Sequence, residues 1–300
     1  MPVLGRNVVG TMRKKQQRQK LKAAAFPSHW SSILEDHFPL YARLPDADRK
    51  ELQGHIQVFL AEKRFEGCGG LEITEEMKVC IAAQACLLLL HRETDCYPSL
   101  RSILVYPSTY SVKTTRHLGA GIMEERQDSR LGEAWDSGAV VLAWDAVHSG
   151  TANPEDGHNV VFHEFAHQLD FEDGRADGAP VLATEDPWYR RKNRYKAWAR
   201  VLSSEYEKLR ANVAAGENTA IDEYGATNPA EFFAVATESF FERPRDLQQR
   251  HPALYEELRR FYQQDPVGWA PAAEVGIGTN RKPAPPILPP APERQTDTQE

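Results

Sequence analysis

Cysteine is scarce in this chain. Cys68, Cys80, Cys86 and Cys96 are the only four among 300 residues, all lie in the N-terminal third, and none stands in a CxxC pair. That pattern argues against a thiolate metal site, and Cys80 and Cys86, inside an apolar helical run, read as buried thiols. Long apolar runs are missing too. The longest, residues 79–90, is broken by Gln84 and falls well short of the roughly 20 residues a membrane span needs. Positive charge is not in excess: the formal charge is −7. Phosphate contacts want a basic surface, so direct nucleic-acid binding is not expected, while a peptide or protein substrate stays open. The apolar patch before the first basic run is too short for a secretory core, so a cytoplasmic location is expected. No internal repeat is visible.

What is present is globular in balance, with 41% apolar and 26% charged residues, enough for one large domain or two modest ones. Residues 1–22 carry Arg6, Arg13, Lys14, Lys15, Arg18, Lys20 and Lys22 without an acid, so 1–25 is expected as a flexible basic lead-in. Residues 26–270 form the expected single domain, with a helical part (26–100) and a second part (101–270). Trp30, Ile33, Leu34, Phe38 and Tyr41 mark a short amphipathic helix. A longer one follows Pro45 through DADRKELQGHIQVFLAEKRF, with Leu52, Ile56, Phe59 and Leu60 on one side.

Thr74 is placed to cap a third helix, apolar nearly all round beyond Val79, which belongs at the centre of a core. SILVYP (102–107) and AVVLAWDAV (139–147) read as strands, with a polar turn region after the first. Residues 188–216 predict a long charged helix, 231–244 another stopped by Pro244, and 252–263 a last one. Beyond Pro266 apolar periodicity is lost, and 271–300 reads as a disordered proline-rich tail.

The chemistry concentrates at 160–170, VVFHEFAHQLD. The stretch has no Gly or Pro, and on a helix His163 and His167 share a face. Two imidazoles four residues apart with Glu164 beside the first form HExxH, the zinc-hydrolase signature. In that chemistry the histidines bind the metal, while the glutamate takes a proton from the attacking water and passes it to the leaving amine. Val160, Val161, Phe162, Phe165 and Leu169 surround the motif. Charged residues in so apolar a helix are costly unless paired or metal-bound.

The motif leaves the third ligand open. Asp170 and Asp173 stand where the Gly and His of an extended HExxHxxGxxH would be, and His158 is a nearby imidazole. Asp170 can instead orient an imidazole from behind. An acid on a separate helix is the remaining option, with Glu231 and, seven residues on, Glu238 in NPAEFFAVATESFF.

DGHNVVFHEFAHQLD and YGATNPAEFFAVATESFF together resemble the Mlc titration factor A family of bacterial zinc peptidases, and the second block is also similar to the anthrax lethal factor catalytic domain. FLAEKRFEGCGGLEITEEMKVCIAAQACLLLL, LRSILVYPSTY and AVVLAWDAVHSG extend the agreement over about residues 30–265. The resemblance implies Glu231 as third ligand, one Zn2+ per chain and assistance from Tyr224, seven residues earlier. Where the lethal factor pattern has an acid four residues after its ligand Glu, this chain has Val235. The supporting role then falls to Glu238 or Asp170, or is absent.

The resemblance further implies an α+β, mostly helical zincin-like metallopeptidase, with a small sheet bordering the cleft and aminopeptidase-like activity. It also implies a transcriptional repressor of the Mlc type as a regulatory partner. An alternative is a repressor-sequestering module in which hydrolysis is incidental. AVVLAWDAV would border the cleft and pair with extended substrate, with Trp144 and Asp145 as pocket-lining candidates.

Overall fold

The structure is a computed structural model describing residues 4–92, 95–108, 110–117, 123–130, 138–182 and 188–269. The proline-rich segment expected to be disordered lies outside the described residues. The lead-in expected to be flexible is helical instead: α1 (Leu4–Ala23) lies along α4 (Asp46–Glu62). Two of its basic side chains, Lys14 and Arg18, find acids on the body. The Arg18 guanidinium forks onto Glu62 at 2.6 and 2.7 Å and also meets Asp95, so this end of the lead-in is an ion-paired helix face.

Between them, α2 (Ser28–His37) and α3 (Pro39–Arg43) replace the single short helix expected there. The α4 helix stops three residues earlier than its apolar pattern suggests. Lys63 leaves it to donate to the Tyr97 and Leu100 carbonyls at 2.6 and 2.8 Å, and Arg64 N–H donates to Arg101. That turns Arg64–Gly67 into strand β1, because the neighbouring strand satisfies its backbone better than another helical turn would.

Helix α5 (Glu75–Leu87) starts as expected, with Thr74 Oγ1 accepting from Met77 N–H at 3.2 Å. It is buried almost throughout and crosses from β1 to β2 (Ser102–Tyr106). Strands β1, β2 and β5 (Ala139–Ala143) form a three-stranded parallel sheet in that order. The expected turn region contains a two-stranded antiparallel ladder, β3 (Tyr110–His117) with β4 (Met123–Arg130).

The strand expected over 139–147 ends at Ala143. Trp144 already begins α6 (Trp144–Ala152), where Asp145 Oδ1 accepts from Ala146 N–H. The architecture is mostly helical around a small sheet, with α6 leading into α7 (Val160–Asp170).

The second half is α8 (Trp188–Ala214), a short 3-10 turn at Glu223–Ala226, α9 (Pro229–Glu242), α10 (Pro244–Arg250) and α11 (Pro252–Tyr262). Helix α10 starts at Pro244 itself, because proline is well placed at a helix's first position. Aromatic side chains join the layers: Phe165 of α7 packs on Phe59 and Tyr97, and Phe162 on Phe241 of α9.

Gly178 ties three helices together. Its N–H donates to Asp170 Oδ2 at 2.8 Å and its carbonyl accepts from Trp198 Nε1 at 2.8 Å. Its φ is +76°, and a Cβ there would lie 2.5 Å from the Pro229 carbonyl, so only glycine lets the loop close on α9.

Candidate metal centre

Helix α7 begins with a strong cap. Asn159 Oδ1 accepts from the backbone N–H groups of Val161 and Phe162 at 3.1 and 3.0 Å. The helix then runs through three apolar residues, Val160, Val161 and Phe162, and turns His163, Glu164 and His167 toward a cavity of about 460 Å3. Helix α9 begins the same way: Asn228 Oδ1 accepts from Glu231 N–H at 3.0 Å, with Pro229 at its first position. The two caps set the entry points of the crossing helices, so Glu231 faces the histidines although 64 residues of chain separate it from His167.

The three groups converge. Glu231 Oε2 lies 3.0 Å from His163 Nε2 and 3.3 Å from His167 Nε2, and the two Nε2 atoms are 3.2 Å apart. Among the described residues this is the one cluster of three or more metal-ligating side chains. Zinc held tetrahedrally by bonds of about 2.0–2.1 Å needs its ligand atoms about 3.3 Å from one another, and the trio has that spacing. Two imidazole nitrogens and a carboxylate oxygen are also a donor set zinc favours. These residues fit a zinc ion.

The surrounding groups fix the orientation. His163 Nδ1 is 2.8 Å from Glu238 Oε1, which keeps the proton on Nδ1 and turns Nε2 to the cluster. Burial opposes charge on His163, but the bonds to Glu231 and Glu238 outweigh it and hold the imidazole well above its usual range. Burial and the neighbouring His163 charge push His167 down, favouring a neutral ring. Burial also works against ionisation of Glu231, yet the two histidines hold its carboxyl down at about 2. The carboxylate is therefore ionised across the physiological range.

Glu164 is 4% exposed and lines the same cavity. Tyr224 lines it from the Glu223–Ala226 turn, positioned by its own N–H donating to Asp222 Oδ1 at 2.7 Å. Its ring is 6.0 Å from that of His163, and 54% of the residue is exposed. Of the other candidates for the third position, Glu238 and His158 line the cavity, but Glu238 is on the Nδ1 side of His163, and none of them joins the trio. His158 is exposed and faces Asp222 at 3.7 Å, Asp173 accepts from Arg175 N–H, and Asp170 holds the Gly178 loop.

Trp144 and Asp145, expected as pocket-lining, do not line the cavity. The helix they begin supplies Ala146, Ser149 and Gly150 instead. At Gly150 a Cβ would meet the His158 carbonyl at 2.9 Å, so the close approach of α6 to the start of α7 requires glycine.

Two buried residues escaped the sequence reading. Asn159 donates its N–H to Glu238 Oε2 at 2.5 Å and its Nδ2 to Glu242 Oε1 at 2.9 Å. Burial pushes the Glu242 carboxyl well above its usual range. The signal was present as spacing: Glu231, Glu238 and Glu242 stand at i, i+7 and i+11, one inward stripe of α9.

A family model described as glucose-regulated metallo-peptidase M90 matches residues 12–263. The chain belongs to that family. It is similar to an uncharacterised protein of Synechocystis, 43% identical over 84% of this chain and 89% of the relative. It is also similar to proteins named Mlc titration factor A. That of Cronobacter sakazakii is 32% identical over 82% of this chain and 89% of the relative. That of Yersinia pestis (strain Pestoides F) is 29% identical over 85% and 92%. The match spans both helices of the candidate centre. Among the described residues no helix of this family member is long and apolar enough to cross a membrane.

Proposed function

We propose that this chain is a zinc-dependent, zincin-like peptidase that holds one zinc ion between His163, His167 and Glu231. The observation that carries the proposal is the meeting of His163 Nε2, His167 Nε2 and Glu231 Oε2 at 3.0–3.3 Å in a cavity that Glu164 also lines. When bound, zinc supplies a Lewis acid that lowers the pKa of a water and polarises the scissile carbonyl. Glu164, buried next to a ligand, takes the proton of the attacking water and returns it to the leaving amine. Tyr224, whose ring is 6.0 Å from that of His163, donates its hydroxyl to the oxygen that becomes negative. Aminopeptidase-like cleavage in the cytoplasm is the activity the family resemblance favours.

The test is Glu164→Gln, which keeps shape and removes the base. Chelator-sensitive peptide hydrolysis should fall about 10²–10⁴-fold with zinc retained. Wild-type turnover in that variant would overturn the assignment.

A second reading is favoured by the relatives' name. "Titration factor" describes a binding act, and on that ground the comparisons lean toward a protein that sequesters a transcriptional repressor of the Mlc type. Repressor capture that survives both Glu164→Gln and chelation would establish binding as independent of hydrolysis.

A further inference from the structure

The candidate centre is divided between two helices, so its geometry depends on how α7 sits against α9. Glu231 comes from the first turn of α9 and both histidines from α7. Near the other end of α9, Asn159 touches two successive turns. Its backbone N–H meets Glu238 and its Nδ2 meets Glu242. Glu238 in turn holds His163 Nδ1 with its second oxygen. A slide or rotation of α7 along α9 breaks both Asn159 bonds and moves the His163 ring relative to Glu231.

We propose that Asn159 and Glu242 are positioning residues of the metal centre. Their hydrogen bond locks the start of α7 onto α9 and thereby holds Glu238 against His163. Neither residue belongs to the ligand trio. The inference rests on the zinc reading above, and it concerns affinity for the metal.

Asn159 also caps α7, so cap and lock have to be separated. Asn159→Ser keeps a capping oxygen but is too short to reach Glu242. Glu242→Met removes the acceptor from the other side while keeping volume. Glu242→Gln is the conservative variant, because its amide oxygen still accepts from Asn159 Nδ2.

Zinc affinity of the full-length chain is read by competition with a chromogenic chelator, alongside thermal unfolding of the zinc-free protein. Asn159→Ser and Glu242→Met should each weaken zinc binding about tenfold, the lower end for residues that orient ligands. The double variant should be no worse than either single one, since both remove the same bond. Glu242→Gln should retain wild-type affinity.

Wild-type zinc affinity in both Asn159→Ser and Glu242→Met would overturn the proposal, even if the zinc-free chain melts lower. Losses that multiply in the double variant would overturn it as well. A wild-type chain that binds no zinc would remove the underlying metal reading, an outcome distinct from unchanged affinity in the variants.

Discussion

Helices α5 and α9 are both buried nearly all round, and they do opposite work. In α5 the interior from Val79 to Leu87 is apolar except for Gln84, whose amide donates to Cys80 O at 3.2 Å and to Thr151 Oγ1 at 3.0 Å. In α9 every residue from Ala230 to Glu242 is buried, and three of them are glutamates. Burying a carboxylate costs several kcal/mol unless charge and hydrogen bonds meet it. Each of the three has such a partner: the two histidines for Glu231, His163 and the Asn159 N–H for Glu238, the Asn159 amide for Glu242. Equal burial therefore goes with packing in one helix and with partnered carboxylates around the candidate centre in the other, and the identity of the buried polar atoms distinguishes them.

The comparison breaks if α9 behaves as another α5. Glu231→Ala removes one of the three proposed ligands, so zinc bound by the wild type should be lost on dialysis and hydrolysis with it. The zinc-free chain should unfold close to the wild-type temperature. Metal analysis and calorimetry on the same sample check this, and a variant that keeps its zinc would erase the distinction.

The converse change is Leu87→Ala in α5, at a fully buried side chain. It should cost about 2–5 kcal/mol in denaturant unfolding, while the folded fraction binds zinc as tightly as wild type.

A smaller effect sharpens the same point on α7. Burial pushes the Asp170 carboxyl up to about 7, against its hydrogen bond from Gly178. The folded state thus holds this proton more tightly than the unfolded chain. Its contribution is fully present below about pH 4, is lost as pH rises from there to about 7, and stays lost above. Asp170→Asn keeps an oxygen for the Gly178 N–H and has no proton to lose. Its stability relative to wild type should rise by on the order of 4 kcal/mol between pH 4 and pH 8, and equal slopes in the two proteins would contradict this.

Much of the site was legible because its pieces are local. The apolar residues before and within His163–Leu169 predict a buried helix, and the four-residue spacing puts both imidazoles on one face. Glu231 was legible only as one of several acids until a family resemblance singled it out. Asn159 and Glu242 were missed because one looks like an ordinary cap and the other like a helix-terminal acid. Lys63 shows the same limit in the fold. Nothing in its neighbourhood says that two distant carbonyls will end α4 there and begin a strand.

The amino-acid sequence by itself determined the α7 motif, the capped α5 core helix and the absence of long apolar spans or an excess of positive charge. Those features depend on spacing along a few turns, which the chain carries wherever it folds. Only the tertiary structure decided that Glu231 meets the histidines, that Glu238 stands behind His163, and that Asn159 binds two turns of α9. It also decided that Trp144 leaves the sheet and that the basic lead-in pairs with Glu62 and Asp95. Each of these depends on where two segments distant in sequence come to rest, and that is set by the packing of the whole core around α5, α7 and α9.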